Sequence, residues 1–196
     1  MDIEKLKSVE IGDIIKFGDY TWQVLDIQGV GALLLCEKAV AQKQYNKTFS
    51  DVTWETSLLR KYLNEDFFDK FSEEEKTHIL ETKVTNNHNH WFNTKGGNST
   101  NDKIFILSLG EVVKYFGDSG QLSNRPVDAR RIKDDFNSSR IVKDLDDIDT
   151  WWWLRTPGFY ALNAVYINIS GWIYIDGNNV NLYGGGIRPA LWLNKI

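Results

Sequence analysis

A chain of 196 residues with a net charge of −4 and a pI near 5.4 is long enough for one sizeable core and short of what two independent domains need, so a single domain over 1–196 is expected. Its 42% hydrophobic and 26% charged residues place it in the globular class, and with no overall positive field a nucleic-acid partner is not expected. The opening Met1-Asp2-Ile3-Glu4-Lys5 has no basic segment followed by an apolar stretch, and the longest apolar run, Val30 to Cys36, is too short to span a bilayer, so no membrane insertion is expected.

The first third reads as a β-meander: Asp13 to Phe17, a Gly18-Asp19 turn, Thr21 to Ile27, a Gly29-Val30-Gly31 turn, then Ala32 to Cys36. Cys36 is the single cysteine, so no internal disulfide is possible. It closes a run, Ala32-Leu33-Leu34-Leu35, with the character of a strand buried on both faces, and an inert core thiol is expected. From Thr53 the period changes: Leu58, Leu59, Tyr62 and Leu63 share one face of a helix expected to end near Phe68. Ser72 with Glu75 has the form of a capping box for a second helix, with Ile79 and Leu80 on its apolar side.

Thr85 to Asp102 reads as a flexible polar loop, and Lys103 to Leu107 as a strand. Ser108 and Glu111 form another capping box, opening a helix that carries Val112, Val113, Tyr115 and Phe116 and stops at Gly117. Asp118 to Asp149 reads as a long surface excursion with a weak helical pattern over Ala129 to Phe136.

The C-terminal part differs in kind. Between Phe159 and Gly186 there is no Lys, Arg, Glu or Gln, and Asp176 is the only charge. Alternation sets Val165, Ile167, Ile169, Ile173, Ile175, Val180 and Leu182 toward the core. Tyr166, Asn168, Trp172, Tyr174, Asp176, Asn179, Asn181 and Tyr183 then face out, with Tyr160 and Asn163 extending the same patch. Turns at Ser170-Gly171 and Asp176-Gly177-Asn178 divide the region into three segments, and Arg188 to Leu193 makes a last strand. Eight Trp and eight Tyr in all suit both a core and a contact surface, since these side chains give large area for few torsions.

Trp151-Trp152-Trp153-Leu154-Arg155-Thr156-Pro157-Gly158 precedes this segment and Gly186-Ile187-Arg188-Pro189-Ala190-Leu191-Trp192-Leu193 follows it. The pair resembles an uncharacterised bacterial domain family with a Trp-Trp-Leu-Arg-Ser/Thr-Pro-Gly block and a closing Gly-Val/Ile-Arg-Pro-Ala-Leu block. Gly18 with Trp22 to Leu25, Ala32 to Leu35, Thr53-Trp54 with Leu59 to Asn64, and Thr100 through Asp102 to Ser108 extend the resemblance over most of the chain. It implies an α+β, C-type-lectin-like (formylglycine-generating-enzyme-like) domain with antiparallel sheets and a few short helices.

The segment 159–186 is also similar to the variable region of proteins diversified by diversity-generating retroelements, where adenines in the codons are mutated. Changing the adenines of Asn codons ending in a pyrimidine gives Tyr, Ser, Asp, Ile, Phe, Leu or Gly but never Lys, Glu, Gln, Met or Trp. The missing Lys, Glu, Gln and Met fit that pattern, Trp172 departs from it, and an ordinary Asn-rich sheet face is the alternative. The resemblance implies a recognition protein of bacterial or phage origin that binds a protein or surface glycan, with no cofactor and no catalytic residue. Such a chain is cytoplasmic by default, or reaches a cell or phage surface by another route. The calcium-dependent sugar-binding triplets Glu-Pro-Asn and Gln-Pro-Asp are absent.

Other chemistry is thinly marked. Arg155, Arg188 and the Trp151 to Trp153 run read first as packing residues. His88-Asn89-His90 offers two metal-ligand types without a third, and Asn98 to Asp102 could place oxygens around calcium or simply close a loop. No phosphate loop, nucleophile elbow or His-Glu-x-x-His helix occurs, and the cysteine pair of the formylglycine-generating enzymes cannot be supplied by Cys36 alone. An enzyme of the same broad fold working near His88 and His90, or a structural domain of a cell-surface or phage assembly, are the competing readings.

Overall fold

The computed structural model describes residues 8–195. In chain order its strands are β1 (Ile14–Phe17), β2 (Tyr20–Gln28), β3 (Gly31–Cys36), β4 (Ala41–Gln42), β5 (Ile79–Leu80), β6 (Thr82–Val84), β7 (Thr100–Asp102), β8 (Arg131–Ile132), β9 (Val142–Lys143), β10 (Asp149–Thr150), β11 (Trp152–Pro157), β12 (Asn163–Ile167), β13 (Ile173–Asn179), β14 (Gly186–Ile187) and β15 (Ala190–Asn194). The α-helices are α1 (Leu58–Tyr62), α2 (Glu73–His78) and α3 (Leu109–Phe116). This is mixed α+β structure, mostly antiparallel, and no helix among the described residues is long and apolar enough to cross a membrane.

The meander forms as its pattern dictates. β1, β2 and β3 pair in sequence, and β15 joins from the far end of the chain between β3 and β5, giving a five-stranded sheet in the order β1-β2-β3-β15-β5. With partners on both edges and side chains packed on both faces, every residue of β3 is buried. A six-stranded sheet has the order β4-β14-β11-β12-β13-β8, antiparallel except for β14 against β11. Trp22 and Leu34 of the first sheet, Trp152 and Ile173 of the second, and Trp54 and Leu63 of the helical stretch share one core cluster. Each buried indole nitrogen finds an acceptor: Trp22 to Phe17 O, Trp54 to Asp102 Oδ2, Trp152 to Arg140 O and Trp153 to Lys43 O, all within 3.0 Å.

Both capping boxes form. Ser72 Oγ accepts from Glu75 N while Glu75 Oε2 accepts from Ser72 N, and Ser108 and Glu111 do the same at α3, which ends at Gly117. The helical stretch from Trp54 to Lys70 alternates 3-10, α, π and 3-10 turns, and Leu58 lies outside its buried side, 47% exposed, because it opens α1 directly after the Ser57 cap.

Three expectations outside the C-terminal segment are corrected. Ile79 and Leu80 are not the apolar side of α2: Glu73–His78 buries none of its own residues, so the helix stops and the two apolar residues pair with β15 instead. Ile104 to Leu107 are buried, but they make no ladder beyond one bridge from Phe105 to Ala190. Asn64 Oδ1 accepts from Lys103 N and Ile104 N, and Leu107 O accepts from Arg155 N, so the segment's backbone is satisfied piecemeal. Ala129 to Phe136 is not the expected helix: Arg131–Ile132 pairs with β13, and Asp134 to Phe136 form a turn closed by Asn137 N donating to Asp134 O. The excursion containing it is fastened by Arg140, fully buried, which donates to Gly171 O, Gly117 O and Asn137 Oδ1 and pairs with Asp134.

The loop before β7 is likewise anchored, despite its polar composition. Buried Asn89 donates to Pro157 O at 2.8 Å and Ile175 O at 2.9 Å, and its Oδ1 accepts from Trp91 N and Phe92 N. Its amide replaces the ladder that the backbone lacks there.

Candidate ligand-binding face

Register places Trp153 opposite Tyr166, Tyr166 opposite Tyr174, and Tyr174 opposite Arg131. Directly opposed residues share a sheet face, so these side chains form one row across β11, β12, β13 and β8. The row starts buried at Trp153 and ends exposed at Arg131. Trp151 packs edge-on against Trp153, with centroids 4.7 Å apart, and against Tyr166 at 5.4 Å. Tyr166 and Tyr174 stack at 4.8 Å. The Arg131 guanidinium lies 5.4 Å from the Tyr174 ring and 5.0 Å from that of Trp172, and its Nη1 donates to Tyr174 Oη at 3.3 Å. Burial pushes the Tyr166 hydroxyl up to about 12, with Tyr174 and Asp176 adding to the effect.

Asp176 follows Tyr174 by two residues and sits beside the same groups. Burial raises its carboxyl above the usual range, against the opposing pull of Arg130 and Arg131. Its Oδ2 is 3.9 Å from Arg130 Nη1, and its Oδ1 is buried with no hydrogen-bond partner. Asn163 and Asn179 face each other in register and bond at 2.9 Å, while Tyr160, 61% exposed, meets Phe159 edge-on.

The ten expected site residues do not make one patch. Tyr166, Trp172, Tyr174 and Asp176 gather around Arg131, whereas Tyr160, Asn163 and Asn179 lie further along the hairpin. Asn168 turns its Oδ1 toward Ser170 N and Trp172 N, which closes the β12–β13 turn. The expectation that Ile169 faces the core is corrected: it is 55% exposed because it lies past the last ladder pair, Ile167 with Ile173, where alternation no longer holds.

The expected turn at Asp176-Gly177-Asn178 is a bulge within β13. Gly177 has φ +79°, and a Cβ there would meet Ala164 O at 2.7 Å. The strand therefore runs on to Asn179, and residues 180–185 form turns where a third strand was expected, which leaves Leu182 42% exposed rather than in the core. Val180 remains buried. Asn181 gives its carbonyl to Gln44 Nε2, and Tyr183 lines a separate depression of about 270 Å³ with Lys43, Leu58 and Tyr62.

Sequence reasoning read Trp151 first as a core residue and only second as part of a stacking platform, and it missed Arg130, Arg131 and Lys133 as members of this surface. The one usable signal was the alternation Arg131-Ile132-Lys133, with Ile132 fully buried. Arg155 and Arg188 are interior. Arg155 Nη2 meets Glu111 Oε1 at 2.9 Å; burial, the largest influence on Glu111, raises its pKa, but Arg155 and the hydrogen bonds from Ser108 together more than offset this and the carboxyl lies below its usual range. Arg188 donates to Cys36 O and lies 5.1 Å from the Trp152 ring; burial pushes it down to about 10, still a cation at neutral pH.

His88 and His90 are exposed, and no group of three His, Cys, Asp or Glu among the described residues could hold a metal. Asp102 accepts from Trp54, Arg60 and Thr100, so its oxygens are already engaged.

The model of the family described as Domain of unknown function (DUF6273) matches residues 30–195. No curated protein and no solved structure matches the chain. The chain therefore belongs to this family of domains of unknown function.

Proposed function

We propose that the protein is a recognition protein that binds a protein or surface glycan through the outer face of its C-terminal sheet. The observation that carries this reading is the row from Trp151 through Tyr166 and Tyr174 to Arg131, partly exposed and held in register by three strands and the edge strand β8. Trp, Tyr and Arg are the side chains that most often dominate binding energy, and rings already packed against one another lose little freedom when a ligand arrives. The fold we infer is C-type-lectin-like, and the segment 159–186 is the diversified region of a retroelement target.

Two features support the diversified reading. The inward set Val165, Ile167, Ile173, Ile175 and Val180 is fully buried and holds the scaffold, while Tyr174, Asn179 and Tyr183 can change without opening the core. The test has two parts. The parent gene is sequenced for a near-identical, adenine-differing copy of this segment beside a reverse transcriptase, whose absence would remove the diversified reading. Cell and protein arrays are probed with the wild type and with a Tyr166→Ala, Tyr174→Ala variant, and equal binding by both would remove the recognition face.

A further inference from the structure

We propose that the partner of this face is a protein that presents an acidic segment, whose carboxylates are held by Arg125, Arg130, Arg131 and Lys133. This inference rests on the reading of the outer face as the binding surface and adds the chemistry of what binds there.

Four cations fall within residues 125–133 of a chain whose net charge is −4. Elsewhere five lysines are paired off: Lys38 with Asp147, Lys61 with Glu65, Lys76 with Glu73, Lys114 with Asp26 and Lys143 with Asp149. Exposed Lys16, Lys47, Lys70, Lys83 and Lys95 make no ion pair within 4.0 Å among the described residues, but they stand singly in the sequence. Among the described residues no carboxylate comes within 4.0 Å of Arg125, Arg131 or Lys133, and the nearest to Arg130 is Asp176 at 3.9 Å. Asp134, the acid next to Lys133, is turned inward onto Arg140. Arg130 is paired with Asp176, and Asp128 and exposed Asp135 lie in the same stretch. The charge left without a carboxylate partner is therefore that of Arg125, Arg131 and Lys133, which is what a negatively charged partner needs.

The cations are also held in place. Arg125 lies over Phe92 at 4.7 Å and Trp91 at 5.0 Å, and its Nε and Nη2 both donate to Ala129 O. Arg130 lies over Phe159 at 5.7 Å, and Lys133 over Trp172 at 4.6 Å. A guanidinium resting on a ring keeps its outer N–H groups free while losing much of its rotamer freedom, so less is lost when a carboxylate is bound. Arg130, Arg131 and Lys133 line a depression of about 400 Å³ in which Asp128 is the one acid.

Ring placement favours a protein over an acidic polysaccharide. A sugar stacks on a free ring face, but Trp172 and Tyr174 already carry cations on theirs, and Tyr166 is stacked on Tyr174. What remains exposed is the set of cationic side chains, Arg131 and Lys133 among them. Val127, 93% exposed within the basic segment, adds an apolar contact that a protein side chain can cover and a polyuronate cannot.

The experiment uses the full chain and two fluorescein-labelled peptides of equal length and aromatic content, one carrying four Glu and the other four Gln at the same positions, with polygalacturonate as competitor. At ~50 mM salt the Glu peptide is expected to bind about tenfold or more tightly than the Gln peptide, an advantage that shrinks at ~500 mM salt. The combined Arg130→Ala, Arg131→Ala and Lys133→Ala variant should lose that preference, and Arg131→Gln with Lys133→Gln, which keeps the aliphatic packing, serves if the first variant melts early. Equal affinity for the two peptides, binding of neither, or displacement by polygalacturonate at lower carboxylate concentration than the Glu peptide itself requires would overturn the inference. If the Glu preference and its loss in the basic variants are seen while Tyr166→Ala with Tyr174→Ala changes nothing, the acidic partner stands and the aromatic face does not. If only the tyrosine variant loses affinity, for both peptides alike, the face stands and the acidic partner falls.

Discussion

Tyr166 and Tyr174 lie ring on ring across β12 and β13, with centroids 4.8 Å apart and planes 13° from parallel. The pair is half buried, with Trp151 against its inner edge and Arg131 against its outer one. Removing either ring loses both packed area and the pair interaction, so Tyr166→Ala or Tyr174→Ala should cost roughly 1 to 2 kcal/mol in chemical denaturation. A loss of ~4 kcal/mol or more would mean that the pair belongs to the core.

The inner side of the same hairpin should respond differently from its tip and from the turns that follow it. Ile173 and Ile175 are fully buried, so Ile173→Ala or Ile175→Ala leaves a cavity and should cost about 2 to 4 kcal/mol. Ile169 and Leu182 have the same apolar character but lie outside the ladder, and alanine there should cost under ~0.5 kcal/mol. Urea midpoints of the four variants separate the two groups, and similar losses throughout would contradict the turn structure assigned to 180–185.

Asp176 should be a stability cost at neutral pH. Its carboxyl lies above the unfolded value, chiefly through burial, so the folded state binds its proton more tightly than the unfolded chain does. The penalty is therefore full above the folded pKa, shrinks as pH falls from the folded toward the unfolded value, and is gone below the unfolded value. Asp176→Asn should raise Tm at pH 7, with the gap to wild type closing on acidification through the carboxyl range. A lower Tm at pH 7 would show that the Arg130 contact outweighs burial.

Cys36 should be slow to react. Burial pushes its thiol up to about 11, and β2 and β15 flank the strand that it ends. A thiol reagent should label the native protein far more slowly than the urea-unfolded chain, and Cys36→Ala should cost roughly 1 to 2 kcal/mol. Native labelling at the unfolded rate would place the sulfur at the surface.

What the residues revealed in advance was whatever their neighbours in sequence decide. The β1–β3 meander, the boxes at Ser72 and Ser108, and the inward set Val165, Ile167, Ile173 and Ile175 follow from local periodicity and capping. The failures fall where a distant segment decides. Gly177 looks like a turn glycine, but Ala164 on the neighbouring strand makes it a bulge. Arg131-Ile132 is too short to read as a strand until β13 supplies its partner, and that pairing is what brings the cations beside Trp172 and Tyr174. Asn89 looked like a loop residue because its partners, Pro157 and Ile175, lie far along the chain.

The central claim is that this aromatic row binds a ligand, and binding by the double variant Tyr166→Ala, Tyr174→Ala tests it most directly. Ligands recovered by the wild-type protein from a cell-surface and protein array are titrated against both proteins, with circular dichroism and thermal melting confirming that the variant is folded. The variant should bind them at least about a hundredfold more weakly, as expected when two central anchors worth some 1.5 kcal/mol each are lost. A folded variant that binds those ligands with unchanged affinity would contradict the account and move recognition to another part of the surface.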